Sequence, residues 1–158
     1  MADKRHAIMA AVVTRMQEIL SASGYYSNLG QNIYEWRPKL VTEGGASYVP
    51  FEQTELPAID IRDPLDTVVT IEQGGTEEHS LSVEFEIAHE AAATGQTMRK
   101  QIADVRKAIG VDVSWGGLAS DTSREMTTET VHLQGDRKFF RTLVRTKITY
   151  LTSEYAES

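Results

Sequence analysis

Residues 139–151 read Phe-Phe-Arg-Thr-Leu-Val-Arg-Thr-Lys-Ile-Thr-Tyr-Leu, and this stretch decides the fold class. Apolar side chains such as Val144 and Ile148 recur at every second position or multiples of it, with no Pro or Gly to interrupt them. Alternation of this kind is typical of a strand with one buried face, because successive side chains point to opposite faces of a sheet. The run is more than twice the usual strand length. It therefore predicts a long strand in a half-buried sheet.

The rest of the chain predicts two helices and further strands. An apolar stripe predicts a first helix from Asp3 to about Ser21, and a second stripe predicts a helix between Gly95 and Gly110. Strands are predicted at residues 32–40, 57–62, 67–71, 81–90, 131–133 and 139–151, with a turn at Asp63-Pro64. The expected fold is α+β: one domain over residues 1–158, with a mixed, mainly antiparallel sheet flanked by two helices in the order α-β-β-β-β-α-β-β.

Two long loops are predicted, at about residues 41–56 and 111–130. The first carries Tyr48 and Phe51, and the second carries Trp115 beside a Gly pair. Loops of this length in compact domains usually have a function, and aromatic side chains dominate protein interfaces. We therefore expect these aromatics to anchor a partner. Trp115 fits a second interpretation equally well, as a core side chain that lies under its loop.

Composition narrows the class of function. The net charge of −7 and the pI near 5.1 weigh against a nucleic-acid-binding protein, which needs a basic surface. The absence of cysteine excludes disulfides, thiol nucleophiles and Cys-containing metal sites. No apolar run is long enough for a signal peptide or a membrane span. These features predict a protein made in the cytoplasm, with no membrane partner.

The amino-acid sequence contains no recognisable catalytic motif. Asp60, Asp63 and Asp66 lie close together in sequence, and Glu84 and Glu86 follow. A metal-dependent nuclease would also need a lysine beside the second acid, and the strand at Val83–Ile87 has none. Both glutamates alternate with apolar residues, so we expect both to face solvent. The prediction is no enzyme, no metal and no cofactor. A small metal-dependent hydrolase that uses Asp60, Asp63 and Glu84 remains the alternative.

The C-terminal hairpin predicts a local basic patch on this acidic chain. Its members are Arg137, Lys138, Arg141, Arg145 and Lys147. The simplest interpretation is a solvated sheet face. A second hypothesis is that the patch meets the acidic face formed by Glu84 and Glu86 of a neighbouring copy, since head-to-tail contacts can close into rings. On that hypothesis, reversing the charge at Arg141 and Arg145 abolishes assembly and leaves the fold intact.

The order of these parts resembles the tail terminator family of long-tailed bacteriophages, the minor tail protein U-like or tail-completion proteins. The resemblance lies in five features taken in order. They are the N-terminal helix ending near Leu20, the strand at residues 56–61, the strand at residues 81–89, the helix at residues 102–109 with the Trp115-Gly-Gly-Leu loop, and the final strand ending at residues 148–152. The resemblance covers nearly the whole chain as a pattern, without a diagnostic motif.

The resemblance implies a structural virion protein without catalytic residues. Members of that family form a hexameric ring that caps the tail tube, ends its polymerisation and offers a docking surface to the head connector. The implied partners are other copies of the chain, the tail tube protein and the head connector or stopper protein, with DNA able to pass through the ring lumen without sequence-specific binding. The implied location is the head-proximal end of the phage tail. A neighbouring head–tail connector or tail-completion protein is the nearest alternative, and a cytosolic binding module is a further one.

Overall fold

The computed structural model describes residues 3–42, 44–72, 75–134 and 138–153. Within these ranges the chain forms two α-helices and a six-stranded, mainly antiparallel sheet, so the predicted α+β class is confirmed. The helices are α1 (Lys4–Gln17) and α2 (Gly95–Gly110). The strands are β1 (Ile33–Glu35), β2 (Leu40–Val41), β3 (Ser47–Tyr48), β4 (Ala58–Glu72), β5 (Thr76–Ala88), β6 (Asp121–Thr122), β7 (Thr127–Gln134) and β8 (Lys138–Ser153). Neither helix is long and apolar enough to cross a bilayer.

β5 is the central strand of the sheet. It pairs antiparallel with β4 on one side and with β8 on the other, and Phe85 lies opposite both Ile61 and Val144. β1 runs parallel to β4 along the far side of β4, while β6 and β7 both pair with β8. Around Ile61, Phe85 and Val144 the three long strands therefore align their apolar positions on a single face of the sheet.

Both helices pack on that apolar face, which we call the helix face. Val83 and Phe85 of β5 and Ile148 of β8 are buried against Ile8 and Val12 of α1 and the apolar side of α2. Each helix begins at a polar cap: the Asp3 carboxylate accepts the N–H groups of Arg5 and His6, and the Thr94 hydroxyl accepts the N–H of Thr97. The core thus lies between one face of the sheet and the two helices.

The first helix is shorter than predicted. It ends at Gln17, where the prediction extended it to about Ser21, and a separate 3₁₀ turn covers Ser21–Ser23. The reason is a tight crossing of the chain at Gly30, whose N–H donates to the Ile19 carbonyl at 2.8 Å. A Cβ atom at position 30 would stand 2.4 Å from the Gln17 carbonyl oxygen. Only glycine allows this approach, and the crossing ends the helix.

The predicted turn at Asp63-Pro64 is wrong, because β4 continues through it as one strand. Its pairing with β5 shifts by one residue between Arg62 and Leu65 and again between Val68 and Thr70. Asp63 and Pro64 lie inside the first shift and have no paired residue in β5, so the missing proline N–H breaks no ladder bond. The strand bends at a bulge where the sequence pattern indicated a break.

The two predicted loops also contain regular structure. The segment at 41–56 contains most of the β2–β3 hairpin and a 3₁₀ turn at Gln53–Glu55. The segment at 111–130 contains a tight turn, β6 and the start of β7. Likewise, the strand predicted at 32–40 is two short strands, β1 and the first residue of β2, separated by Pro38. Strands of two or three residues, such as β1, β2, β3 and β6, are too short to show the alternation that makes long strands visible in sequence.

Trp115 is a core side chain, which confirms its interpretation as a side chain under the loop and corrects the alternative assignment as a partner anchor. Its ring is 1% exposed, lies 4.5 Å from the Arg15 guanidinium and donates from Nε1 to the Thr122 hydroxyl at 2.8 Å. Its backbone has a left-handed φ of 53°. The turn is held by Asp112, whose carboxylate accepts the Ser114 hydroxyl, the Gly116 N–H and the Ser114 N–H, and these bonds lower the Asp112 pKa to about 2.

Truncation of Trp115 should strongly destabilise the fold. We expect Trp115→Ala to lower the free energy of unfolding by about 3–5 kcal/mol, because it leaves a cavity in the core and removes a buried hydrogen bond. Urea unfolding followed by circular dichroism measures this loss. Tyr26→Ala is the matched control, since Tyr26 is largely exposed and its truncation should cost no more than about 0.5 kcal/mol. Equal losses in the two variants would contradict the core assignment.

Candidate partner interface on the second face of the sheet

Most of the predicted site residues lie on the face of the sheet opposite the helices, which we call the second face. β5 and β8 bring Glu84 opposite Arg145 and Ser82 opposite Lys147 on this face. Part of the face is covered by residues 36–42 and 44–57, which we call the cover segment. Val49 and Phe51 of the cover segment pack against Ala58 and Ala88 of the sheet. The second face is therefore half covered and half open.

Glu86 lies under the cover segment, so the expectation that it faces solvent is wrong. Glu86 is only 2% exposed. One carboxylate oxygen accepts the Val49 N–H at 2.8 Å, and the other accepts from Arg141 Nη1 at 3.1 Å and lies 3.6 Å from Lys39 Nζ. A buried carboxylate requires such partners, because an unpaired charge in the interior is costly. The alternation placed Glu86 on the correct face, but a segment distant in sequence covers that face.

The basic patch and the acidic face pair with each other inside one chain. Arg141 binds Glu86, while Arg145 Nε lies 3.8 Å from Glu84 and its Nη1 lies 3.8 Å from Glu129. These contacts within the subunit already engage the charges of the basic patch and the acidic face. They therefore count against the hypothesis that the same charges pair between copies. Lys147 remains exposed on the open half of the face. Arg137 and the side chain of Lys138 lie outside the described residues.

The aromatic residues of the cover segment hold it on the sheet. Phe51 is buried, with its ring 5.3 Å from the Tyr34 ring and 4.7 Å from the Arg37 guanidinium. Arg37 also binds both carboxylate oxygens of Glu55, at 2.7 and 3.1 Å, and this pairing lowers the Glu55 pKa to about 2. Tyr48 is half-buried in β3. Phe51 is thus a packing residue, and its assignment as an exposed anchor is corrected.

Asp60 extends the same charged cluster at the β4 side. It is fully buried, next to Glu86 in the sheet register, and accepts the Arg37 N–H and Arg62 Nε, each at 2.8 Å. Burial raises the Asp60 pKa, and the bonds from Arg37 and Arg62 oppose that shift. The second face therefore contains a network of paired charges beneath the cover segment. This network holds the cover segment in place, and its buried carboxylates Asp60 and Glu86 both already have partners.

The structure does not bring together the residues of the hydrolase hypothesis. Asp60 and Glu84 lie on the second face, but Asp63 is turned towards α1, where it accepts from Arg5 Nε and Trp36 Nε1, each at 2.8 Å. Asp60 and Asp63 are three positions apart on β4, so the alternation along the strand already places their side chains on opposite faces of the sheet. In the described part of the chain, no three His, Cys, Asp or Glu side chains are grouped so that they could hold a metal ion.

Sequence reasoning missed two surface features beside β4. The first is a shallow groove of about 400 Å³ at the start of α1. It is lined by Asp3, Arg5, His6, Met9, Glu35, Trp36 and Asp63. Trp36 is half exposed there, with a left-handed φ of 49° where β1 ends. The second feature is the exposed apolar edge of β4 from Leu65 to Ile71. Its Val, Ile and Thr content was visible in the sequence, but the presumed turn at Pro64 hid the length of the strand.

A second buried polar network joins β5, β7, β8 and α2. Gln101 donates its amide hydrogens to Glu90, so its oxygen accepts from His89 Nδ1–H. His89 Nε2 then accepts from the Thr142 hydroxyl at 2.8 Å, and Thr142 in turn accepts from Thr130 at 2.7 Å. With the His89 ring neutral, every member of this network has a hydrogen-bond partner. Burial accordingly lowers the His89 pKa, although Gln101 and Glu90 oppose the shift.

Removal of Glu86 should cost far more stability than removal of Glu84. We expect Glu86→Ala to lower the free energy of unfolding by about 3–5 kcal/mol, because it leaves Arg141 and the Val49 N–H without their buried acceptor. Glu84→Ala is the control on the same strand and face. Its partly exposed pair with Arg145 should contribute about 0–1 kcal/mol. Chemical denaturation of both variants gives the comparison, and similar small losses would show that Glu86 is not the anchor of the cover segment.

Stability should fall as the pH drops below about 6.5, the ordinary His pKa. The unfolded chain takes up a proton at His89 in this range, whereas the buried ring resists it down to its lowered folded pKa, so the unfolded state gains. Above pH 6.5 both states are neutral and the contribution is complete. Urea unfolding between about pH 7.5 and about pH 5 measures the slope. His89→Gln should flatten it, whereas His6→Gln, at an exposed position, should not. An unchanged slope in His89→Gln would contradict this assignment.

No protein-family model matches this chain, and a search of curated proteins finds no match. The fold, the surfaces described above and the order of elements along the chain are therefore the features that point to a function.

Proposed function

We propose that this protein is a bacteriophage tail terminator, a structural protein that forms a hexameric ring on the end of the tail tube. In this role the ring stops tube polymerisation and provides the docking surface for the head connector. The observation that carries the proposal is the order and form of the elements. One helix, two long paired strands, a second helix and a long final strand build an α+β sheet with both helices on one face. This is the arrangement that the family resemblance implies.

The mechanical demands of a ring subunit agree with this sheet. A terminator must keep its shape while it contacts the tube on one side and other copies laterally. β4, β5 and β8 are 15, 13 and 16 residues long, and β5 pairs with its neighbours on both sides from Thr76 to Ala88. A hydrophobic core supports one face, and the charged network under the cover segment supports part of the other. Sheets with both faces fixed in this way deform little.

The surfaces also suit protein partners. The open half of the second face presents Arg145 and Lys147 near Glu129, and such mixed charges favour specific and correctly oriented docking. The groove beside α1 exposes Trp36, the kind of side chain that dominates binding energy in interfaces. The proposed partners are other copies of the chain, the tail tube protein and the head connector, and the proposed location is the head-proximal end of the tail.

The test combines native mass spectrometry with tube growth. The purified protein, alone and mixed with its tail-tube protein, should give a six-fold species or a mass that appears only with the tube. Added during tube polymerisation, it should shorten the tubes seen by electron microscopy. Added to finished tubes, it should bind their ends and leave their length unchanged, which is the control. A protein that stays monomeric and ignores the tube would overturn the proposal. Binding to the connector without the tube would assign it instead to the neighbouring head–tail proteins.

A further inference from the structure

The outer edge of β4 stands open over most of its length. β1 pairs with β4 only from Ile59 to Ile61, and the Trp36 N–H donates to the Ile61 carbonyl immediately after that stretch. From Leu65 to Ile71, β4 pairs with β5 on its inner side, and no strand in the described ranges pairs with its outer side. An open strand edge presents backbone donors and acceptors that another strand can bind.

This open edge is unusually apolar. The described residues include ten strongly exposed large hydrophobic side chains, and four of them lie in this one stretch. They are Leu65, Val68, Val69 and Ile71, which are 57%, 43%, 55% and 61% exposed. The register shifts turn them to both faces: Leu65 pairs with Ser82 of the second face, while Val68 and Ile71 pair with the buried His79 and Glu77 of the helix face. An added strand would therefore gain apolar contacts above and below.

The edge carries little protection against such pairing. Soluble monomers usually place Lys or Pro on an open edge. Residues 65–71 contain neither, and their one charge, Asp66, is turned inward, where the Tyr150 hydroxyl donates to it at 2.6 Å. Pro64 stands at the beginning of the stretch, where it separates the part that binds β1 from the open part. Beyond Pro64, the edge has the β-branched composition of a strand that is paired on both sides.

The opposite edge of the same sheet, formed in part by β7, is also open. β7 pairs with β8, and no other strand in the described part of the chain contacts it along its outer side. Its sequence, Thr-Thr-Glu-Thr-Val-His-Leu-Gln, contains no Lys, Arg or Pro. Its length of 8 residues is enough to cover the open stretch of β4. One subunit therefore offers two unprotected edges on opposite sides of the sheet.

We propose that the open edge of β4 in one copy pairs with the outer edge of β7 in the next copy, so that the sheets of neighbouring subunits become continuous. This inference rests on the proposed ring, because a head-to-tail contact uses every edge only when the assembly closes. β7 lies level with the Lys138–Arg145 part of β8, whereas the open stretch of β4 lies level with the Lys147–Thr152 part. Successive copies are therefore staggered along the strand direction, which inclines the strands to the ring axis as in closed sheets.

Blocked edges test the proposal. Leu65→Lys with Val69→Lys blocks the β4 edge, and Thr128→Lys, at an exposed position, blocks the β7 edge. Each variant should raise the protein concentration at which the ring forms by at least about tenfold in sedimentation velocity. Val111→Lys is the matched control: Val111 is similarly exposed, lies at the end of α2 outside the sheet, and its substitution should leave assembly unchanged. Circular dichroism and thermal unfolding establish that all variants are folded.

Mixing the two blocked variants separates this contact from other arrangements. The β4-blocked copy still offers β7, and the β7-blocked copy still offers β4, so the mixture should give a discrete two-chain species that neither variant forms alone. If the β7-blocked variant self-associates into dimers, the contact joins two β4 edges and the proposal is overturned. If wild type forms the ring and both blocked variants do so equally well, the inference falls while the tail-terminator proposal stands. If wild type binds the tube as a monomer, the edges serve another partner and the inference falls.

The absence of cysteine allows a direct check of the same contact. A double variant with Val69→Cys and Thr128→Cys carries the only two thiols among these 158 residues. Oxidation of the assembled protein should give ladders of cross-linked chains on a denaturing gel, and each single variant should give at most a dimer. Neighbouring positions on β7, such as Thr130→Cys, define the register. A double variant that remains monomeric after oxidation at every β7 position, in a sample that contains the ring, would overturn the edge-to-edge contact.

Discussion

The pairing of β5 with both β4 and β8 is the constraint on which the rest of the structure depends. β5 is hydrogen-bonded to a neighbouring strand on both sides along its whole length. This pairing fixes the face of the sheet to which each of its side chains points. Leu81, Val83 and Phe85 must enter the hydrophobic core, and Glu84 and Glu86 must lie on the opposite face. The helices satisfy the first requirement. The second requirement forces the protein to neutralise acidic side chains in the middle of a sheet, and the cover segment and β8 both contribute to that.

The charged network follows from this geometry. Glu86 would lose its hydration under the cover segment, but Arg141, the Val49 N–H and Lys39 replace the water. Buried ion pairs contribute little net stability when compared with apolar packing, yet they are strict about geometry. Their effect here is to fix where the cover segment lies. The main effect of the network is therefore to determine where the cover segment lies on the sheet, and its net contribution to the free energy of folding is small.

The sequence predicted those parts of the fold in which one pattern runs long enough to be read locally. β5 and β8 were predicted because apolar and polar residues alternate along them over many positions, and α2 because apolar residues recur at helical spacing over several turns. β4 was divided in two because a bulge at Asp63-Pro64 resembles a turn in sequence. The burial of Glu86, Arg141 and Phe51 could not be read locally, since it depends on the cover segment, which is remote in sequence from β5 and β8. The open edge of β4 escaped notice for a related reason: an unpaired edge is a property of the whole sheet.

The contact between the beginning of α1 and the end of β8 limits when this fold can form. Lys4 Nζ donates to the Leu151 carbonyl, and α1 packs on a sheet whose central strand lacks one neighbour until β8 is present. During synthesis, α1 and β5 leave the ribosome well before β8, so neither can reach its final packing while translation of β8 is unfinished. Closing contacts over such long sequence separations is slow compared with helix formation. Truncated or stalled chains would therefore remain unfolded, and only chains that include β8 would have the lateral surfaces that assembly needs.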